Sequence, residues 1–154
     1  MCGIIGAASS RTVGKILVNG LKKMEYRGYD SAGLVLNNES EAIQLKTLGK
    51  VAKLEDLMIE KKPRAQSGIA HTRWATHGEP SQKNAHPHAS NGTIYIVHNG
   101  IIENHDELRE RLSNDGYKIE SETDSELIAH LIYSNKENGK STLKALIEAT
   151  KELH

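Results

Sequence analysis

Cys2 is the only cysteine in the chain, and it stands directly after Met1 and directly before Gly3. A single thiol forms no internal disulfide and builds no sulfur-rich metal site. Once Met1 is removed, however, the same residue carries both a thiol and the chain's free α-amine. The reference pKa values of such an amine and thiol are about 8 and about 8.5, so a proton passes between them at neutral pH at little cost. A terminal nucleophile activated by its own amine is one solution to acyl transfer. Position also permits a plainer reading, in which Cys2 is incidental to a frayed terminus.

Three further groups of residues could complete a site. Arg73-Trp74-Ala75-Thr76-His77-Gly78 follows a predicted strand. A guanidinium can clamp a carboxylate through two parallel hydrogen bonds, and a loop tryptophan can close over a ligand. Alternatively, Trp74 anchors the loop to the core and Arg73 is solvated. His98-Asn99-Gly100 ends another strand, where a side-chain amide and a glycine N–H could donate to an oxyanion. Asn-Gly is also a strong signal for a type I′ hairpin turn, although Ile101-Ile102-Glu103-Asn104 lead towards a helix. Asp124 falls in the first turn of a helix. It could complement the positive helix end or accept an ammonium group.

Metal and cofactor chemistry finds little support. There are eight histidines, with His86 and His88 two apart and His71 and His77 six apart. None falls in a His-Glu-x-x-His pattern, no thiolate cluster is available, and Pro87 restrains the 86/88 pair. No Walker loop or dinucleotide fingerprint is present; Gly3 and Gly6 have no room for a preceding strand. No metal and no cofactor are expected.

The elements that must position these groups follow from periodicity. Cys2–Ala8 reads as a buried strand. Val13, Ile16, Leu17, Leu21 and Met24 recur at helical spacing, up to the break at Arg27-Gly28-Tyr29-Asp30. Ala32–Leu36 and Ala42–Thr47 form a predicted hairpin, and Val51–Lys62 a helix ended by Pro63. Ser67–His71 is a strand. The stretch 72–91 reads as a long functional loop. Then come a strand over Thr93–His98, a helix over Glu103–Asp115 and a short strand over Tyr117–Ile119. Thr123 and Glu126 match a capping box for a helix with Leu127, Ile128, Leu131 and Ile132 inside. Ser141 starts a last amphipathic helix through Leu143, Leu146, Ile147 and Leu153. The sheets are expected to be mixed or antiparallel with helices outside. The last helices call for more sheet beyond them.

At 154 residues the chain suffices for one domain with a real core. Phenylalanine is absent, so that core is built from Ile, Leu, Val, Ala and a few Tyr. Twenty acidic and twenty basic residues balance, giving no field to attract nucleic acid. No apolar run is long enough to span a membrane and no secretory signal is evident, so a cytoplasmic setting is expected.

Taken together, Cys2-Gly3-Ile4-Ile5-Gly6, the block from Glu25 to Gly33, the block from His71 to Gly78, His86-Pro87-His88, the block from His98 to Asn104 and Glu122-Thr123-Asp124 resemble a known family. In order, and over nearly the whole chain, they are similar to the glutaminase domain of the glutamine–fructose-6-phosphate aminotransferases. The terminal Cys-Gly and the blocks around Arg73 and Asn99 are those of class II glutamine amidotransferases generally. The Glu25–Gly33 block points to the sugar-phosphate members.

The resemblance implies an α+β fold of the N-terminal-nucleophile hydrolase type, a four-layer α/β/β/α sandwich with antiparallel sheets. It implies Cys2 as nucleophile, with its α-amine as base after Met1 removal, and Asn99 and Gly100 as the oxyanion hole. Arg73 would bind the α-carboxylate of L-glutamine and Asp124 its α-amine, while Trp74, Thr76 and His77 belong to a loop that closes on the substrate. The reaction would be hydrolysis of glutamine to glutamate and ammonia. In full-length members, expected to be homo-oligomers, the ammonia converts fructose 6-phosphate to glucosamine 6-phosphate. The family's glutaminase domain continues past Leu153 and precedes a sugar-phosphate isomerase region. Residues 1–154 are therefore expected to be a partial domain, incomplete at the C-terminus, without isomerase domains. The alternatives are a glutaminase domain serving another acceptor and a non-catalytic glutamine-binding module.

Overall fold

The computed structural model describes residues 2–38, 40–75 and 78–154. Along them run β1 (Gly3–Ala8), α1 (Gly14–Met24), a 3-10 turn (Glu25–Arg27), β2 (Ser31–Asn37), β3 (Ala42–Leu48), α2 (Val51–Lys61), β4 (Ser67–Arg73), β5 (His88–Ser90), β6 (Ile94–Ile96), α3 (His105–Asn114), α4 (Ser125–Glu137) and α5 (Thr142–Lys151). The larger sheet has the order β1-β4-β2-β3 and the smaller is the pair β5-β6. Every pairing is antiparallel.

Side-chain periodicity builds the layers. Val13 with Leu17, Val18 and Leu21 of α1, and Val51 and Leu54 of α2, meet Leu34, Leu36, Leu45 and Ala70 on one face of the larger sheet. Leu17, Leu21, Leu34, Leu36 and Leu54 are fully buried, and each such burial contributes roughly 1.5–3 kcal/mol. On the far side, α3, α4 and α5 form a second core with Ile94 of β6 through Leu108, Leu112, Leu127, Ile128, Leu131 and Ala145. The two sheets lie between these helical layers. Gln44 Nε2 of β3 donates to the Pro87 carbonyl oxygen across the sheets at 2.6 Å. The order is helix, sheet, sheet, helix.

Several sequence expectations need correction. The first strand is not buried: among the described residues β1 pairs only with β4, at an edge of the larger sheet. One face, with Ile5 and Ala7, packs on the first core, while Ile4 on the other is 39 % exposed. The 72–91 stretch contains β5. The strand expected at Thr93–His98 shrinks to Ile94–Ile96, and Tyr117–Ile119 is not a strand; Tyr117 and Ile119 pack on the second core instead. The capping box is not formed. Asp124 holds the N-cap position of α4, and Glu126 accepts from the N–H groups of Glu120 and Ser121. Helix α5 turns its large residues outward, with Leu143 68 % exposed, and buries Ala145 and Ala149. Small residues let it lie close against α4, a contact that a pattern of large apolar residues does not reveal.

Candidate active site

Cys2 immediately precedes β1. Its Sγ accepts a hydrogen bond from the Trp74 N–H at 3.2 Å and lies 3.6 Å from the Trp74 carbonyl oxygen. Strand pairing holds it there: Gly3 is in register with Thr72, and its N–H donates to Thr72 Oγ1 at 3.1 Å. A β-carbon on Gly3 would lie 2.8 Å from Met24 Cβ, so glycine lets the strand begin close to the end of α1. Cys2 remains partly accessible. A nucleophile must be both fixed and reachable.

Alternation along β4 puts His71 and Arg73 on one face, and both are buried. The Arg73 guanidinium donates to the carbonyl oxygens of Gly78 at 3.0 Å and Glu79 at 3.4 Å, and lies 4.0 Å from Asp30 Oδ1. It is not a solvated surface cation. Asp30 also accepts from the Ala75 N–H and, at 2.8 Å, from Ser31 Oγ. The start of β2 thereby ties down the loop after β4. Trp74 is 50 % exposed and meets Tyr29 edge-on at 5.9 Å, so it does not anchor the loop in the core.

No described residue returns as a strand after Gly100; the chain enters α3, and the hairpin reading of Asn99-Gly100 falls. Asn99 Nδ2 donates to the Cys2 carbonyl oxygen at 3.2 Å, and Asn99 Oδ1 lies 2.8 Å from His71 Nε2. Asp124 does not use its side chain to cap α4. Its Oδ2 accepts from the Ile102 N–H at 2.8 Å and its Oδ1 from Ser125 Oγ at 3.1 Å. His98 Nδ1 reaches Ser125 Oγ at 3.0 Å. The carboxylate thus ties the segment after β6 to the head of α4.

Cys2, Arg73, Trp74, Asn99, Gly100 and Asp124 all line one cavity of about 400 Å³, a size suited to a small molecule. Thr76 and His77, also expected here, lie outside the described residues, as does Met1. Arg27, His71, His86, His98, Ile101 and Thr123 line the cavity too; the sequence offered His71 and His86 only as members of metal pairs and Thr123 only as a helix cap, and assigned none of the six to this site. For His71 a signal existed: it stands two residues before Arg73 on one strand and shares its face. His86 and Thr123 fall in the His86-Pro87-His88 and Glu122-Thr123-Asp124 blocks, but neither block by itself assigns them to the cavity.

Beneath the cavity His71 stacks on His86 at 4.1 Å, and His86 meets His88 edge-on at 4.4 Å. Burial pushes His71 down to about 4, with its bond to Asn99 opposing, and pushes His88 down to about 3, helped by the Lys46 charge. Burial holds His86 well below its ordinary value, and the adjacent His71 and His88 add to this. The stack is therefore neutral near pH 7. His88 Nε2 lies 2.9 Å from Thr123 Oγ1, which is 2.9 Å from Ser121 Oγ. Ser121 Oγ donates in turn to Glu126 at 2.5 Å. Burial alone would raise Glu126, but its bonds from His130, Glu120 and Ser121 outweigh this and hold it at about 2. Arg109 of α3 donates to the carbonyl oxygens of Ser121 and Thr123 at 3.0 and 2.9 Å. These bonds fix the loop that delivers Asp124. Among the described residues, no group of three or more His, Cys, Asp or Glu side chains could hold a metal ion, and no helix is long and apolar enough to cross a membrane.

The family model described as a glutamine amidotransferase domain matches residues 71–147, half of the chain. Over 154 residues the chain is 54 % identical to the glutamine–fructose-6-phosphate aminotransferase (isomerizing) of Haemophilus influenzae, covering 99 % of this chain and 25 % of that protein. It is 53 % identical to the protein of that name from Vibrio parahaemolyticus, with the same coverage. It is 51 % identical to that from Legionella pneumophila strain Paris, covering 26 % of it. The chain thus spans about a quarter of the length of these curated relatives. Among solved structures, the glutamine phosphoribosylpyrophosphate amidotransferase from B. subtilis, complexed with ADP and GMP, superimposes with a TM-score of 0.83 at 22 % identity. An allosteric regulatory enzyme of purine biosynthesis does so with 0.84 at 23 %. Each match covers 99 % of this chain and 33 % of the other. These likenesses show the fold, an α+β sandwich with antiparallel sheets. With the family match over half its length, the chain belongs to the glutamine amidotransferase domain family.

Proposed function

We propose that this chain hydrolyses the side-chain amide of L-glutamine to glutamate and ammonia through a γ-glutamyl thioester on Cys2. The observation that carries this reading is the convergence of Cys2, Asn99, Gly100, Arg73 and Asp124 on one cavity. The Cys2 thiolate attacks the amide carbon, and the free α-amine left by Met1 removal holds the thiol proton. The Asn99 side-chain amide and the Gly100 N–H stabilise the tetrahedral oxyanion; one such donor is commonly worth about 3–4 kcal/mol. The intermediate collapses, the amine passes its proton to the leaving nitrogen, and ammonia departs. Water then cleaves the thioester, giving glutamate and the free thiol.

Arg73 takes the substrate α-carboxylate and Asp124 its α-ammonium. Their burial lowers the local dielectric and strengthens both attractions. Discrimination against asparagine would come from the fixed distance between this clamp and the thiol. Trp74, half-exposed at the mouth of the cavity, closes over the substrate. By likeness to the curated relatives, of which it spans about a quarter, the chain acts within a longer protein. There the ammonia aminates fructose 6-phosphate to glucosamine 6-phosphate, in domains beyond the partial glutaminase domain of residues 1–154.

The test is a γ-electrophilic glutamine analogue applied to chain whose Cys2 amine is free. Peptide mass spectrometry should locate one adduct, on Cys2, and untreated chain should release ammonia from glutamine. An unlabelled Cys2 removes the reading. Labelling without turnover supports a glutamine-binding module instead.

A further inference from the structure

The Asn99 carboxamide lies between two groups of different chemistry. One end is 3.2 Å from the carbonyl oxygen of Cys2 and the other 2.8 Å from His71 Nε2. An amide can be turned end for end with almost no change of shape. Here the turn is decided by chemistry. The Cys2 carbonyl oxygen only accepts, so the end facing it is the NH2 group. The end facing His71 is then the amide oxygen, which also only accepts. His71 Nε2 must therefore carry a proton.

A neutral imidazole has one proton, so His71 Nδ1 is bare. Two observations agree. Nδ1 is buried and, among the described residues, has no hydrogen-bond partner, a setting in which an N–H would lose its hydration without recompense. The ring also stays neutral: burial pushes its pKa down to about 4, and Arg73 on the same strand face disfavours a second proton. Its plane is set from below by the stack on His86, 19° from parallel. His88, next in the stack, is tied to Thr123.

We propose that His71 is a positioning residue whose Nε2–H holds Asn99 Oδ1 and thereby aims the Asn99 NH2 group at Cys2. The inference rests on the glutaminase reading above. Nδ2 has two hydrogens; one serves the Cys2 carbonyl and the second is directed to the forming oxyanion. The other His71 tautomer would make Nε2 an acceptor, draw the NH2 group to itself, and present a carbonyl oxygen to a developing negative charge.

The experiment compares His71→Leu, His71→Gln, Asn99→Ala and the His71→Leu/Asn99→Ala double variant in glutamine hydrolysis by chain with a free Cys2 amine. His71→Leu is expected to lower kcat by about 10²–10³-fold, the loss typical of one oxyanion donor, and to leave KM little changed. Gln can still donate to Asn99 Oδ1, so His71→Gln recovers much of the loss. In the Asn99→Ala background, His71→Leu costs no more than about two- to threefold, because residues acting through one bond are not additive. Full additivity, or a loss confined to KM, overturns the proposal. Imidazole nitrogen NMR of the unsubstituted chain gives a second readout independent of turnover: His71 should be neutral with its proton on Nε2. A proton on Nδ1 overturns the proposal. If the unsubstituted chain hydrolyses no glutamine, the functional reading fails, and the tautomer still decides the His71–Asn99 arrangement.

Discussion

Gly28 packs directly against the peptide of Arg73: a β-carbon at position 28 would lie 2.8 Å from the Arg73 carbonyl carbon and 2.9 Å from its oxygen. Backbone cannot swing aside as a flexible side chain can, so any larger residue displaces the start of the loop after β4. The end of β4 and that loop carry the guanidinium of Arg73 and the Trp74 N–H bonded to Cys2 Sγ. Gly28→Ala is expected to cost about 1–3 kcal/mol of stability, the usual range for overpacking. It should also lower glutaminase kcat/KM by about 10²-fold, since a misplacement of about 1 Å at a reacting group has that effect. Parallel thermal unfolding and ammonia-release assays check this. A folded variant with unchanged activity would show that the contact does not position the loop.

Met1 decides whether the thiol has its base. With Met1 in place the α-amine is moved one residue away from Cys2, and among the described residues the hydrogen bonds of Cys2 Sγ run only to the Trp74 backbone. General bases contribute about 10²–10⁴-fold. Material retaining Met1, identified by intact mass, should therefore show no more than about one hundredth of the activity of processed material. Equal turnover in the two samples would refute the role of the amine.

Asp124→Asn separates the two tasks of that side chain. The amide oxygen can still accept the Ile102 N–H that Asp124 Oδ2 now takes, so the segment after β6 stays in place. The charge for an α-ammonium is lost. Hydrogen bonds to charged groups are worth about 1.5–3 kcal/mol, so KM for glutamine should rise about 10–100-fold with a smaller change in kcat. Steady-state kinetics check it; a loss in kcat with unchanged KM would show that Asp124 only holds the loop.

Much of this architecture was legible from residue pattern. The β2–β3 hairpin follows from the apolar run of Ala32–Leu36 and the alternation of Ala42–Thr47, and α4 buries Leu127, Ile128, Leu131 and Ile132 as its helical period requires. What was not legible depends on partners distant in the chain. Glu126 has the spacing of a capping residue, yet its carboxylate turns to Glu120 and Ser121 and so braces the Asp124 loop. Helix α5 has a large-residue face that looks like a core face, but α4 accepts the alanine face because it permits closer approach. The strand period puts His71 on the Arg73 face, but its partner Asn99 is 28 residues away, and local periodicity cannot see such a pair.

Burial of the histidine stack makes the fold acid-labile. In the unfolded chain a histidine takes its proton below about pH 6.5. Folded His71 does so only near 4 and His88 only near 3. Between those limits the unfolded state binds more protons, so stability falls as pH falls. Glu126 acts in the same direction over a lower window. Its folded value is about 2 against an ordinary value of 4.5, so the stability it contributes is lost below pH 4.5. Each pKa unit corresponds to about 1.4 kcal/mol, so His71 and His88 each contribute on the order of a few kcal/mol against a typical total of about 5–15. The urea midpoint should decline steadily from pH 7 to pH 4, and the chain should unfold near the lower end without denaturant. Substituting His88 by Gln removes one titrating group while keeping a partner for Thr123 Oγ1, and should flatten that decline. A midpoint constant between pH 6.5 and pH 4.5 would mean that the buried imidazoles take up protons without resisting, and that the stack is not held neutral by the fold.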